Sequence, residues 1–153
     1  MVIWHNHTFN ELTVQRLYDL LKIRCDVFVV EQNCPYPELD GIDTLKDTQH
    51  LYALADQDAV AYARIMAPDV CYEGYVAIGR VLVTAEYRQA RLGHQLIEQA
   101  IAQASKLWPQ QPIKISAQAH LANFYQRHGF EIVSSPYLED GIEHVAMIRP
   151  TQA

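Results

Sequence analysis

Hydrophobic positions along the 153-residue chain change period several times, and each change marks an element. Residues 3–9 alternate weakly and predict a short strand. Over residues 11–30, Leu12, Leu17, Leu20, Leu21, Cys25 and Phe28 recur at mostly helical spacing, with Asn10 and Thr13 as candidate caps. The valine-rich run at 27–30 predicts that this helix breaks or ends there. Residues 31–49 hold Pro35, Pro37, Gly41 and many acids. They read as a long loop, ordered or mobile, of a length usually tied to function or disorder. Apolar runs at 51–55 and 59–66 flank Asp56-Gln57-Asp58 and predict a hairpin. Residues 68–74 read as a second turn and 76–83 as a third strand.

The period then turns helical. Leu92, Leu96, Ala100, Ile101, Ala104 and Leu107 line one face, and Trp108-Pro109 stops the helix. Residues 113–117 predict a short buried strand. Leu121, Ala122, Phe124 and Tyr125 predict a short helix face ended by Gly129, and 130–133 and 145–148 predict closing strands. Neither a repeat nor a linker interrupts the pattern, so residues 1–153 read as one domain. The element order predicts an α+β (mixed α/β) class, with helices covering a central sheet.

Composition narrows the function classes. No apolar run approaches the ~18 residues of a membrane span, and the first seven residues do not read as a signal peptide. A formal charge of −6 argues against a general nucleic-acid binder. Cys25, Cys34 and Cys71 are odd in number and lack a CxxC spacing. They read as reduced thiols of a cytoplasmic protein, with no metal site. The triplet His5-Asn6-His7 lacks any surrounding metal pattern, and Met66 and Met147 read as core filler.

Two segments carry chemistry. The first runs from Val81-Leu82-Val83 through Arg88-Gln89-Ala90-Arg91 to Leu92-Gly93-His94. A buried strand there passes through a short turn into a helix, whose unpaired N–H groups and positive dipole end favour an anion such as phosphate. Arg88 and Arg91 add cationic donors, and Gly93 permits close backbone approach. The plainer reading of this stretch is an ordinary strand–helix turn with two solvated arginines. The second segment is Ala117-Gln118-Ala119-His120-Leu121-Ala122-Asn123-Phe124-Tyr125-Gln126-Arg127-His128-Gly129-Phe130.

Together these segments resemble the GNAT superfamily of N-acetyltransferases. The first resembles its acetyl-CoA motif and the second its Ala-x-x-Phe/Leu-Tyr-x-x-x-Gly-Phe signature. The resemblance is closest to the ElaA-like branch. It is carried there by the run from Arg24 to Gln32, by Ala117-Gln118-Ala119-His120, and by Glu139-Asp140-Gly141-Ile142-Glu143-His144. It covers residues 20–149 and implies a mostly antiparallel twisted sheet of six to seven strands flanked by about four helices. It departs from the family at Arg91, which occupies the first motif glycine. The backbone cradle survives that departure if Arg91 adopts an ordinary helical or bridge conformation.

The resemblance implies acetyl transfer from acetyl-CoA to a primary amine, small-molecule or peptide, without metal, nucleic acid or membrane. It places Val81, Leu82, Val83, Arg88, Gln89, Ala90, Arg91, Leu92, Gly93, His94 and Asn123 at the cofactor. Tyr125 matches the family's tyrosine that protonates the leaving thiolate, although its residues alone read equally as core. The base stays open among His120, Glu31 and His144, and each has an ordinary structural role as an alternative. His120 is the first of these, because it begins the second segment's helix and titrates in the useful range. Arg24, Glu31 and His144 are candidates at the acceptor, Arg24 and Glu31 either bracketing it or simply pairing with neighbouring charges. Residues 31–47 carry five acids against Lys46, a rim expected to attract a cationic amine unless its acids only solvate the loop. A non-catalytic acyl-CoA sensor or an interaction module of the same fold is the alternative function, as monomer or homodimer.

Overall fold

The computed structural model describes residues 1–88 and 91–151. Eight strands form one sheet: β1 (Ile3–Thr8), β2 (Gln49–Ala55), β3 (Asp58–Met66), β4 (Val76–Val83), β5 (Ile113–Gln118), β6 (Glu131–Ile132), β7 (Tyr137–Glu139) and β8 (Ile142–Arg149). Their order is β1-β2-β3-β4-β5-β8-β6, with β7 also paired to β8. Every pairing is antiparallel except β4 with β5, which α2 (Leu92–Leu107) connects as a crossover.

Strand alternation divides the core into two layers. Leu51, Ala53, Ala61, Ala63 and Ile65 face one way and pack with Leu96, Ile97, Ala100 and Ala104 of α2. Tyr52, Tyr62 and Leu82 face the other way and pack with Leu20 of α1 (Val14–Cys25). Each large aliphatic side chain buried in this way contributes about 1.5–3 kcal/mol. The third helix, α3 (Ala122–Gln126), lies with α2 through Phe124 and Tyr125.

The structure departs from the sequence expectations in three places. Helix α1 starts behind Thr13, whose hydroxyl accepts the Arg16 amide at 3.0 Å, and Asn10 caps nothing there. Asn10 lies instead in a 3₁₀ turn bracketed by Thr8 and Glu11. The valine-rich run does not end α1, which continues as a π-helix over Asp26–Glu31. The wider turn relieves crowding of β-branched side chains against the preceding turn, and such π segments often border functional sites. Finally, β7 forms between the two expected closing strands, where no element was expected, so the sheet has eight strands and not six to seven, flanked by three α-helices among the described residues where about four were expected.

Candidate active site

Strands β4 and β5 pair only at Val76 with Ile113 and Ala77 with Lys114, although β4 runs on to Val83 and β5 to Gln118. Beyond that point the two strands diverge. One edge of β4 is then left without a strand neighbour, so its backbone N–H and C=O groups are open to a ligand that can pair with them. The divergence has a local cause on the other edge. Between Tyr62 and Arg64 of β3 the partner on β4 jumps from Leu82 to Gly79, so β4 carries an extra residue. Arg80 sits in this bulge at φ 52, in the left-handed region. A bulge of this kind bends a strand and increases its twist.

The gap leads from Val81, Leu82 and Val83 to the start of α2. The Leu82 side chain belongs to the α1 layer, while Val81 and Val83 pack against the α2 layer. The Leu92 side chain is buried in the core, which leaves only its backbone at the helix start. Gly93 needs no special backbone angle, and a Cβ there would make ordinary contact with Phe124 at 3.6 Å. His94 bonds through Nδ1 to His128 Nε2 at 2.9 Å and leans on Phe124. Burial and the neighbouring His94 hold His128 below the usual histidine range.

Arg88 is not a free cation. Its Nε donates to the Val83 carbonyl at 2.9 Å, and its guanidinium pairs with Glu31 at 2.7 Å. That hydrogen bond holds Glu31 below the ordinary carboxylate range, which weakens it as a base. Gln89 and Ala90 lie outside the described residues.

Arg91 does not adopt the helical or bridge conformation expected of it. It caps α2 at φ 58, ψ 15, in the left-handed region that a glycine at the same motif position would adopt freely. A non-glycine residue there costs about 1–2 kcal/mol, partly offset by the greater chain entropy that glycine loses on folding. Arg91→Gly is therefore expected to raise the thermal midpoint by about 1–4 °C in a calorimetric scan. An unchanged or lower midpoint would show that the side chain offsets the backbone strain.

Tyr125 is 7% exposed, its ring edge-on to both Phe124 and Phe130. Burial pushes its phenol up to about 12, so the hydroxyl keeps its proton throughout the neutral range. His120 lies on an exposed 3₁₀ turn directly after β5, and Asn123 is exposed one residue into α3.

On the opposite face of the sheet is a cavity of about 360 Å³. Its walls come from the π-helix (Phe28, Val29), the loop after it, β4 and the β7–β8 hairpin. Arg24 does not reach it. The side chain is 1% exposed, with Nε on Glu38 at 2.9 Å and Nη1 on Asp43 at 2.8 Å, so it cannot contact an acceptor. Arg64 binds Asp40 and Asp43, and Arg80 binds Glu38 and approaches Asp40. Three arginines thus neutralise Glu38, Asp40 and Asp43, and Arg88 neutralises Glu31. Four of the five acids of the expected rim are thus paired, and the fifth, Asp47, is exposed next to the equally exposed Lys46, so the segment is balanced and not an attractive field.

Burial would raise Asp40, but hydrogen bonds from Arg64 and the Ile42 amide, with the charges of Arg64 and Arg80, bring it down to about 2. Asp43 is likewise lowered, its burial outweighed by Arg24 and Arg64. Folded values below unfolded ones mean that this stabilisation is complete above about pH 4. It is lost as pH falls through the folded values. Urea midpoints are expected to fall between about pH 4 and pH 2, and the fall should be shallower in Asp40→Asn. Parallel profiles for the two proteins would contradict the assignment.

His144 does line the cavity, and residues the sequence reading did not assign surround it. Alternation places Ser116 and Gln118 of β5, His144 of β8, and Tyr137 and Glu139 of β7 on one face, with Gln118 and Tyr137 both opposite His144. The two-residue turn Asp140-Gly141, both at positive φ, closes the hairpin. Ser116 donates to Glu139 at 3.0 Å and also bonds the Tyr137 hydroxyl. His144 Nδ1 lies 2.6 Å from the Ile142 carbonyl, which can only accept, so Nδ1 carries a proton. Nε2 faces Glu139 at 3.5 Å. The Asp-Gly hairpin signature between Tyr137-x-Glu139 and Ile142-x-His144 is the sequence signal that could have found this wall.

Among the described residues no helix is long and apolar enough to cross a membrane. Residues 27–149 match the acetyltransferase (GNAT) domain model. The chain is 45% identical to the protein ElaA of Escherichia coli over 97% of each chain. The crystal structure of E. coli ElaA superposes with a TM-score of 0.92 at 44% identity, over 97% of this chain and 99% of that one. An acyl-CoA N-acyltransferase from Pseudomonas aeruginosa superposes with a TM-score of 0.93 at 47% identity, over 97% of this chain and 99% of that one.

Proposed function

Because the chain belongs to the GNAT acetyltransferase family, we propose that it transfers an acetyl group from acetyl-CoA to a primary amine by direct attack. The observation that carries this reading is the divergence of β4 from β5 beside the start of α2. The unpaired edge from Ile78 to Val83 suits the amide groups of a pantetheine arm. The amides of Leu92, Gly93 and His94, the first turn of α2, suit a diphosphate. No side chain lining the gap on this reading is asked to act as a covalent nucleophile.

In the reaction the amine nitrogen forms a bond to the acetyl carbon, and the carbon–sulfur bond breaks. The departing thiolate takes the Tyr125 proton, and the proton of the attacking nitrogen passes to a base. Of the three bases considered, Glu31 is occupied by Arg88 and His120 lies on an exposed turn, whereas His144 faces the acceptor cavity with Nε2 unprotonated in its neutral form. His144 is the base in this reading.

Arg91 is the freer cation at the diphosphate, since Arg88 must first leave Glu31. Arg91→Ala is expected to weaken acetyl-CoA binding about fivefold by calorimetry, an exposed contact worth about 1 kcal/mol, and Arg88→Ala less. Both effects should grow at low salt. Dissociation constants unchanged in both variants would remove the arginines from the site.

The enzyme reading is tested by thiol release. Acetyl-CoA with a panel of primary amines should liberate free CoA faster than acetyl-CoA alone. Calorimetric binding of acetyl-CoA without any acceptor-stimulated release would instead support a non-catalytic sensor.

A further inference from the structure

The geometry points to an acceptor that is a small amine with no carboxylate beside its reacting nitrogen, its ammonium drawn to Glu139 and its proton taken by His144. This deepens the acetyltransferase reading and rests on it. The first support is charge balance. Glu38, Asp40 and Asp43 are matched one for one by Arg24, Arg64 and Arg80, so the loop side of the cavity offers an acceptor neither a spare anion nor a spare cation. A carboxylate entering there would have to compete with carboxylates already bound at 2.7–3.0 Å.

The hairpin wall is different. Glu139 and Asp140 line the same cavity, and the only cationic partner recorded for either among the described residues is His144, itself charged only when protonated. Glu139 is 48% exposed and held by Ser116, so it is both reachable and fixed in direction. The cavity lining includes no lysine. The field an incoming molecule meets is therefore negative at the hairpin and balanced elsewhere, which attracts an ammonium group and disfavours an anion attached to it.

The hydrogen bonds also supply a path for the proton. The Ile142 carbonyl fixes the proton on Nδ1, which leaves Nε2, 3.5 Å from Glu139, as the ring nitrogen open to a further proton. An ammonium seated between Glu139 and Nε2 loses one N–H bond as Nε2 gains one. The amine is then neutral with its lone pair free, and the imidazolium is paired with Glu139. Phe28, Met66, Tyr72 and Ile142 supply apolar surface for the body of the molecule. A volume of about 360 Å³ is at the small end of ordinary ligand cavities.

The test compares acceptors that differ only in the carboxylate, tyramine against tyrosine and isopentylamine against leucine, by CoA release. The wild type should favour each amine at least tenfold in kcat/KM. Glu139→Gln should raise the KM of the amines about tenfold, shrink that preference to threefold or less, and leave the KM of acetyl-CoA within twofold. His144→Gln should lower kcat and leave the preference in place. Equal or better use of the amino acids, or an unchanged preference in Glu139→Gln, overturns the inference while leaving acetyl transfer intact. Absence of binding of either amine to the CoA-loaded wild type, measured by calorimetry, also overturns it. Failure of the wild type to bind acetyl-CoA at all brings down the acetyltransferase reading itself.

Discussion

Arg24→Ala is expected to destabilise the fold by about 3–5 kcal/mol, the cost of leaving a buried network of three carboxylates one cation short. Glu38 and Asp43 both point at this guanidinium from a loop 14 and 19 residues further on, and both are almost fully buried. Solvent cannot take its place without the loop lifting away. At roughly 2–4 °C per kcal/mol for a chain of this size, the thermal midpoint should drop by about 6–20 °C. A control separates lost charge balance from lost packing. Arg24→Met combined with Glu38→Gln, which leaves Asp40 and Asp43 against Arg64 and Arg80, should recover part of the loss, since uncompensated charge is the larger cost. A drop below about 1 kcal/mol in Arg24→Ala would mean that the pairs are solvated and of the weak surface kind.

Tyr125→Phe is expected to lower kcat about 10²-fold and leave the dissociation constant of acetyl-CoA within about twofold. The size follows from the position of the phenol. At about 12 it lies well above an ordinary thiol near 8.5, so it is always charged with its proton but is a reluctant donor. General acids contribute about 10²–10⁴-fold, and a mismatch of this kind belongs at the lower end. The substitution removes one oxygen and no ring contact, so the edge-on packing with Phe124 and Phe130 is kept and stability should be unchanged. No basic limb from this group should appear below about pH 11 in the rate profile. Turnover of the variant within twofold of wild type would remove Tyr125 from the chemistry.

Of the candidate site, the strand–turn–helix unit proposed for the donor was far more legible in the chain than the cavity proposed for the acceptor. Val76–Val83 and Leu92–Leu107 are each specified by their own local period, so both ends of the strand–turn–helix unit fell where the pattern put them. Arg91 departed because, as the residue capping α2, it holds a left-handed conformation that its own type does not favour and that the residue type alone does not reveal. On the acceptor side the determinants are long-range. The counter-ions of Arg24 lie in a loop without period, so the same acids read as a free rim until the fold brought three arginines to them. β7 is only three residues long, between Pro136 and Asp140-Gly141, too short for alternation to register. Its importance appears only through register, which sets Glu139 beside Ser116 and His144.

Arg80 occupies the extra position in β4 and at the same time grips Glu38 at 2.8 Å. The kink that separates the strands and the tether that fixes the loop are thus one residue, so neither half of the site can drift without dragging the other. Retargeting this scaffold to a new acceptor by transplanting the loop would require three arginines from three separate elements to travel with it. The Asp140-Gly141 tip has no such moorings in the buried ion network, and makes the cheaper place to diversify.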